Sequence, residues 1–538
     1  MCPSDSPNLV LTGFMGTGKT AVGSEVAARL GREFLDMDAE IERRAAKPIA
    51  RIFAEDGEPA FRQLEAGLCQ ESSARRGLVI ATGGGTLLDP ANRAAMMRTG
   101  TVICLSCDPA AILRRLGASA GPERPLLAVP DPRAEIERLL AARRPAYAAI
   151  PWQIDTSGLS IPEVADRVIE LSDTVTLTVR HPQGEYPVHI GDLLLGYAGS
   201  ALRAVGAAEG TRVAVVSNPT VAHLHAGPVL HSLQAAGFHA STCTIPDGEQ
   251  HKTLDTVRLL YDRLLSAGLD RSGTVLALGG GVTGDIAGFA AATFLRGVRF
   301  VQVPTTLLAM ADASLGGKTG VDLPQGKNLV GAFKQPDLVI TDPSVLATLP
   351  AEHLRSGMAE VIKHAVIAAP DLFDELESGP PSSGSPLSPS QLARAIRVKV
   401  EIVEQDPFEQ DRRAVLNLGH TLGHALESLS GFSLPHGEAV SVGLAAAARI
   451  AARLRLADRS LVDRIEAILA AWGLPLRCPP GPFGLDALGR AMAYDKKRRC
   501  GALRWVLPRT IGDVQVVDDV PPGVVLSVLH DMGAGSTS

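Results

Sequence analysis

Residues 8–30 read NLVLTGFMGTGKTAVGSEVAARL. An apolar run typical of a buried strand passes into a Gly-rich turn, Gly13–Thr20, and then into apolar residues spaced as on one helix face as far as Leu30. The turn has the pattern GxxxxGK[ST] in the strand and helix setting that this motif requires. Gly13, Gly16 and Gly18, with Thr17 between them, let backbone N–H groups close around the phosphates of ATP, and the helix N-terminus favours their negative charge. Lys19 reaches the outer phosphates and Thr20 offers its hydroxyl to Mg2+. A strand that launches a helix in this way belongs to an α/β fold with a parallel sheet.

Outward from this stretch, composition bounds the rest. A chain of 538 residues exceeds a single domain and accommodates about three. The net charge of -6, with both signs spread along the chain, gives no reason to expect nucleic acid or an anionic membrane as partner. Apolar runs stop well before the roughly 20 residues of a membrane span, and MCPSDSPNLVL lacks a basic region followed by an apolar segment, so a cytoplasmic location is expected. Seven scattered cysteines do not form a disulfide framework, and Cys104 and Cys107 in TVICLSC read as packing residues. Only ten of the 52 basic residues are lysines, which makes their positions informative.

Beyond Leu30, FLDMDAEIE places Asp36 and Asp38 on one side of a strand end. EPAFRQLE presents Arg62 on an amphipathic helix, LVIATGGGTLL presents Gly83, Gly84 and Gly85 after a strand, and GPERPLL offers Arg124 in a loop. Singly, each arginine also fits a solvated surface position. In this order the motifs resemble shikimate kinase over residues 7–172. The resemblance implies that Asp38 orients the attacking hydroxyl, that Arg62, Gly83 to Gly85 and an arginine of AARRPAY hold shikimate, and that Arg124 is a lid arginine acting on ATP beside Lys19. Arg143 is the first choice within AARRPAY and Arg144 the second.

Past Ser172, LSDTVTLTVRHPQGEYPVHI alternates as paired strands do around a Pro-Gln-Gly turn, so a domain boundary is placed there. From Thr211 the pattern is strand, helix, strand, followed by TVLALGGGVTGDIAGFAAATFLRG, an apolar strand running into glycines and a small-residue helix. This is the layout of a dinucleotide site without the GxGxxG fingerprint, and it also fits a tight structural turn. SGPPSSGSPLSPS, residues 378–390, reads as a surface insertion between helices.

In RAVLNLGHTLGHALESLSGFSLPHGE, residues 413–438, Arg413, Asn417, His420 and His424 recur at intervals of four, three and four, which predicts one helix face. On spacing alone His420 and His424 form a pair of ligands for a metal such as zinc, with His436 as a third imidazole, or a set of hydrogen-bonded histidines. Lys252, Lys318, Lys327, Lys363, Lys399, Lys496 and Lys497 lie in or beside Gly-rich or amphipathic motifs, as suits a substrate with phosphate and carboxylate groups.

VPTTLLAMADASLGGKTGVDLPQGKNLVGAF, AEVIKHAVI, LNLGHTLGH and PHGEAV together resemble 3-dehydroquinate synthase from about residue 184 onward. The resemblance implies an NAD-binding α/β domain at 173–345 and a mainly helical metal- and substrate-binding domain at 346–538, after a P-loop kinase domain at 1–172. It assigns Zn2+ or Co2+ to Glu360, His420 and His436, correcting the pairing of His420 with His424. NAD falls to Asn218, where the family usually has Asp, and to Thr220, Glu249, Lys252, Gly280, Gly281, Asp285, Thr305, Thr306, Lys318 and Lys327. Heptulosonate phosphate falls to Asp312, Lys318, Asn328, Lys363, Lys399, Arg413, Asn417 and one of Lys496 and Lys497, with Lys497 preferred. Lys318, Glu409 and His424 are implied to be catalytic, and the chain to form a homodimer through this part. The implied reaction is oxidation, loss of phosphate, reduction and ring closure, with NAD regenerated. Two rivals stay open here: a metal-dependent polyol dehydrogenase for the second part, and a non-catalytic nucleotide-binding module for the first.

Overall fold

The computed structural model describes residues 6–117, 130–381, 385–409, 412–481, 483–493, 504–518 and 520–535. The chain divides into two compact units, one drawn from 1–175, 191–211 and 228–239, the other from 176–190, 212–227 and 240–538.

The first unit holds strands β1 (Asn8–Gly13), β2 (Glu33–Asp36), β3 (Leu78–Ala81), β4 (Gly100–Ser106) and β5 (Trp152–Asp155). They form a parallel sheet in the order β2-β3-β1-β4-β5. The central strands β1 and β3 are buried along their whole length, which is why they read as unbroken apolar runs and not as alternating ones. The chain leaves β1 toward the β2 edge and leaves β3 toward β4, so the connections diverge beyond the C-terminal ends of β1 and β3. That crevice is where an open α/β sheet binds ligands, and it receives both Gly13–Thr20 and Gly83–Gly85. Gly18 has φ 98, a left-handed conformation that lets the loop turn directly into helix Lys19–Leu30. Cys104 is buried in β4, and Cys107 packs half-buried against the cluster of Phe14 and Ile112. One expectation is corrected: β2 ends at Asp36, which caps helix Met37–Ala45 by accepting the Ala39 N–H at 3.2 Å, so Asp38 stands in a helical first turn and not on the strand.

The second unit is built on a sheet ordered β6-β7-β14-β11-β10-β8-β9. Its strands are β6 (Val175–His181), β7 (Gly184–Ile190), β8 (Arg212–Ser217), β9 (His239–Thr244), β10 (Thr274–Gly279), β11 (Arg299–Pro304) and, after the antiparallel hairpin β12 (Lys318–Leu323) and β13 (Gly326–Phe333), β14 (Leu338–Thr341). β7, β14, β11, β10 and β8 run parallel. β8 is followed outward by β9 and β10 by β11 on the opposite side, which creates a second switch point between β8 and β10.

Helices dominate the remainder, with one antiparallel hairpin, β15 (Trp505–Thr510) and β16 (Asp513–Val517). Helix His436–Arg453 (HGEAVSVGLAAAARIAAR) is buried along most of its length because its small side chains let neighbours approach. The described residues of the 378–390 stretch as far as Ser388 fall between helices Pro370–Leu376 and Pro389–Gln405, and Pro389 and Ser390 open the second of these. A single helix carrying Arg413, Asn417, His420 and His424 is not formed. Arg412–Asn417 is a 3-10 turn, Gly419 at φ 79 breaks the direction, and a new helix runs from His420 to Leu429. Among the described residues no helix is long and apolar enough to cross a membrane.

Candidate functional sites

In the first unit the Lys19 ammonium donates to the carbonyls of Gly13 and Phe14 at 2.9 and 3.0 Å, lying across the loop where phosphates would enter. Burial lowers its pKa to about 8. The Thr20 hydroxyl donates to Asp36 Oδ2 at 2.7 Å, a hydroxyl and carboxylate set suited to the hard cation Mg2+. Burial, reinforced by Asp36 and opposed by Lys19, raises the pKa of Asp38 to about 6.

Gly83 packs on Asp38, since a Cβ there would lie 2.7 Å from its carboxylate. Arg62 is held by Glu58 at 2.9 Å and by buried Glu65, which also accepts the Thr86 hydroxyl. Arg143 donates to the Gly84 carbonyl at 3.1 Å, as does the Tyr147 hydroxyl at 2.7 Å. Arg144 instead pairs with exposed Glu209, so Arg143 is the arginine at the crevice. Arg124 lies outside the described residues. Sequence reasoning missed Glu65, Tyr147 and Arg115. Arg115 donates to the Gly16 carbonyl at 3.3 Å and to Thr156 and so braces the phosphate loop, a role with no sequence signal because it depends on a tertiary contact.

At the second switch point, Asn218 follows β8 and caps the next helix, accepting the Val221 N–H at 2.8 Å and donating to Asp247 at 2.9 Å. Thr220 sits exposed in that helix's first turn. Gly280 and Gly281 start the helix after β10, and a Cβ on Gly280 would come within 3.1 Å of Thr306. Lys252 pairs with Asp285 at 2.6 Å and Lys327 with Glu249 at 3.2 Å. The Thr305 hydroxyl is buried without a hydrogen-bond partner. A glycine-started helix, opposed charges and an unpaired buried hydroxyl at a sheet switch point fit a dinucleotide such as NAD.

Alongside lies a cleft of about 610 Å³ lined by Asp312, Lys318, Asn328, Lys363, Lys399, Arg413 and Asn417, so the structure brings together every predicted substrate residue it describes. Lys496 and Lys497 lie outside the described residues. Glu409 also lines the cleft and pairs with Lys318. Lys399 pairs with Asp312 Oδ1 at 2.7 Å, and burial lowers the lysine's pKa to about 8. Burial works to raise Asp312, but Lys399 and Lys363 outweigh it and hold the carboxyl well below its ordinary range.

Glu360, His420 and His436 place one ligand atom each within 4.8 Å of one another. His420 Nε2 lies 3.7 Å and His436 Nε2 3.4 Å from Glu360 Oε1. Bonds of about 2.0–2.1 Å to one tetrahedral zinc would separate donor atoms by similar distances. The orientations suit this: His420 Nδ1–H donates to the Leu418 carbonyl at 3.1 Å and His436 Nδ1–H to Glu427 at 3.1 Å, which turns both Nε2 atoms inward. Glu360 is fully buried and pairs with Lys363, yet neither of its oxygens has an ordinary hydrogen bond. A buried carboxylate with Lys363 at one oxygen and two inward imidazole nitrogens near the other fits a cation ligand. Two close backbone approaches build the cluster. Gly437 meets Ser356, drawing His436 to the helix of Glu360, and Gly443 meets Gly419, drawing His420 to the helix of His436. His424 stays outside the ligand set, its ring 5.2 Å from that of His420 and 6.5 Å from that of His436.

Comparison with known proteins follows the same division. The family model described as shikimate kinase matches residues 15–172, and those described as 3-dehydroquinate synthase N-terminal and C-terminal match 242–356 and 357–498. The 3-dehydroquinate synthase of Synechococcus sp. is 46% identical over 363 residues, covering 66% of this chain and 98% of that protein. Among solved structures, 2-epi-5-epi-valiolone synthase from Streptomyces hygroscopicus subsp. jinggangensis 5008, with NAD+ and Zn2+ bound, is 31% identical, covers 65% of this chain and 96% of its own, and has a TM-score of 0.58. A 2-deoxy-scyllo-inosose synthase complexed with carbaglucose-6-phosphate, NAD+ and Co2+ is 27% identical, covers 66% and 100%, and has a TM-score of 0.59.

Proposed function

We propose a residue-level division of labour for this chain, which belongs to the 3-dehydroquinate synthase family and carries a shikimate kinase domain ahead of the synthase. It is a bifunctional enzyme: it phosphorylates shikimate with ATP and Mg2+, and it converts 3-deoxy-arabino-heptulosonate 7-phosphate to 3-dehydroquinate with NAD and a divalent metal. The rival dehydrogenase and regulatory-module readings are not favoured. A neutral polyol needs no cleft with three lysines and an arginine, and a mere nucleotide sensor needs no Asp38, Arg62 and Arg143 around its phosphate loop.

In the kinase part, phosphoryl transfer is governed by positioning and charge neutralisation. Lys19 leaves the Gly13 and Phe14 carbonyls to meet the outer phosphates, Thr20 and Asp36 hold Mg2+, and ionised Asp38 accepts the hydrogen bond of the attacking hydroxyl. Arg62 and Arg143, stationed at the Gly83–Gly85 turn, grip the ring and carboxylate of shikimate, and Arg124 supplies further positive charge.

In the synthase part, NAD supplies a reversible hydride acceptor, and a metal held by Glu360, His420 and His436 supplies Lewis acidity. The chain's own residues do the rest. Asn218, Glu249, Lys252, Asp285, Lys327 and the Gly280 turn anchor the dinucleotide. Lys363, Lys399 and Arg413 neutralise carboxylate and phosphate, with Asn328 and Asn417 bonding hydroxyls. His424, next to His420 but outside the ligand set, orients substrate or carries a proton at its ring nitrogen, and Lys318 with Glu409 closes the cleft edge.

The fully buried Glu360 carboxylate facing two inward Nε2 atoms is the observation that carries the synthase reading. Its test is metal analysis of the purified protein beside turnover of both substrates. Removal of metal with a chelator should stop dehydroquinate formation while Zn2+ or Co2+ restores it, and dehydroquinate formation undiminished in metal-free protein counts against it. We further assign residues 1–172, 173–345 and 346–538 to the kinase, NAD-binding and metal-binding domains, a homodimer to the synthase part, and a cytoplasmic location to the chain. Size-exclusion with light scattering tests the dimer.

A further inference from the structure

His364 is a buried titratable group beside the cleft to which the synthase chemistry assigns no task. It follows Lys363 on helix Ala351–Ala368, is 0% exposed, and has neither ring nitrogen hydrogen-bonded. An unpaired imidazole so deep is unfavourable unless a partner is available in another state of the site. The nearest candidate is specific. Asp312 Oδ1 lies 2.7 Å from Lys399 Nζ and 3.9 Å from His364 Nε2, so one oxygen has a lysine bonded to it and an imidazole about an ångström short of bonding. Asp312, Glu360 and His364 also bring ligand atoms within 4.8 Å of one another, but Lys399 is paired with the first and Lys363 with the second, so ammonium charge already occupies the place of a cation. Asp312 sits in a π-turn, Ala309–Ala313, a backbone irregularity that a small shift can adjust.

We propose that His364 is a positioning residue that takes over Asp312 when substrate draws Lys399 away. In the free enzyme Lys399 neutralises Asp312. Once an anionic substrate engages Lys399, the half-buried Asp312 carboxylate would lose its partner, and movement of about 1 Å lets the neutral His364 donate Nε2–H to Asp312 Oδ1 in its place. Asp312 thereby keeps its place in the cleft through turnover. The burial that holds the imidazole's pKa down to about 4 agrees with a neutral donor. This inference rests on the heptulosonate reading of the cleft.

The test is His364→Phe against His364→Gln, since the glutamine amide can place an N–H near Nε2 and the phenyl ring only fills space. Expected is a fall in kcat/KM for heptulosonate phosphate of about tenfold or more in the Phe variant, as for loss of one hydrogen bond to a half-buried charge, and recovery to within about threefold in the Gln variant. Metal content and thermal midpoint measured on both variants should match the wild type. Equal kinetics in the Phe and Gln variants overturn the inference, as does loss of metal in the folded Phe variant. If the Phe variant does not fold, Gln against Met decides by the same criterion. Absence of wild-type turnover of heptulosonate phosphate would instead reject the functional reading on which the inference stands.

Discussion

His420 and His424 are four residues apart on one helix, yet only His420 faces Glu360 at 3.7 Å. His436→Ala should therefore lower bound metal and dehydroquinate formation together, whereas His424→Ala should keep its metal and lose activity by about a hundredfold or more. Metal per chain in the two purified variants checks this, and a metal-free His424→Ala protein would restore the helix-face pairing. A neighbouring pair of arginines in the kinase divides in the same way. Arg143→Ala should raise the KM for shikimate by about tenfold or more, and Arg144→Ala, which removes only a surface pair with Glu209, should leave kinetics within about twofold.

Asp38 links function to stability. Burial raises its pKa from 3.8 to about 6, so the unfolded chain ionises this carboxyl first and the ligand-free fold loses stability as pH rises between those values. Asp38→Asn should thus stabilise the ligand-free protein by about 1–3 kcal/mol at pH 8, with the gain shrinking as pH falls through 6, while phosphorylation is lost. Thermal melts across pH, set beside shikimate kinase assays, measure both effects.

Among elements, the decisive contact is between helix His436–Arg453 and the turn that starts helix His420–Leu429. A Cβ on Gly443 would lie 1.8 Å from the Gly419 carbonyl oxygen, and Gly419 at φ 79 cannot readily yield. Gly443→Ala should push the two helices apart, destabilise by about 1–3 kcal/mol and weaken metal binding by spreading His420 from His436. Calorimetry and metal titration report on this; unchanged metal affinity would show that the helices are positioned by other contacts. The strands were legible in sequence because apolar runs bounded by Gly state their burial directly, as in β1 and β10. The Arg413 to His424 stretch misled because its spacing satisfies a helix, while a glycine able to reverse the backbone sits inside it at Gly419.

At the scale of the whole molecule, Lys19 belongs to the first compact unit and Glu360 to the second. Lys19→Ala should abolish shikimate phosphorylation and leave dehydroquinate formation within about twofold, which parallel assays on one preparation decide; loss of both in a folded protein would mean the two activities are not independent. Sequence alone determined the α/β class, the phosphate loop and the family of each part, because those depend on residues adjacent in the chain: Gly13 to Thr20, Gly280 and Gly281, and the His420, His424 and His436 motifs. It also named the lysines and acids that would meet, through family likeness. Between alternatives that spacing leaves equal, family likeness had stated a preference, and only the tertiary structure supplied the distances behind it. It placed Arg143 and not Arg144 at the Gly84 carbonyl, turned His420 and His436 but not His424 toward Glu360, and set Asp312 between Lys399 and His364. The physical reason is that a ligand set or an ion pair is a matter of distances of a few ångströms between distant segments. Those distances are set by how closely helices pack, here by Gly437 on Ser356 and Gly443 on Gly419, and not by the intervals along any one of them.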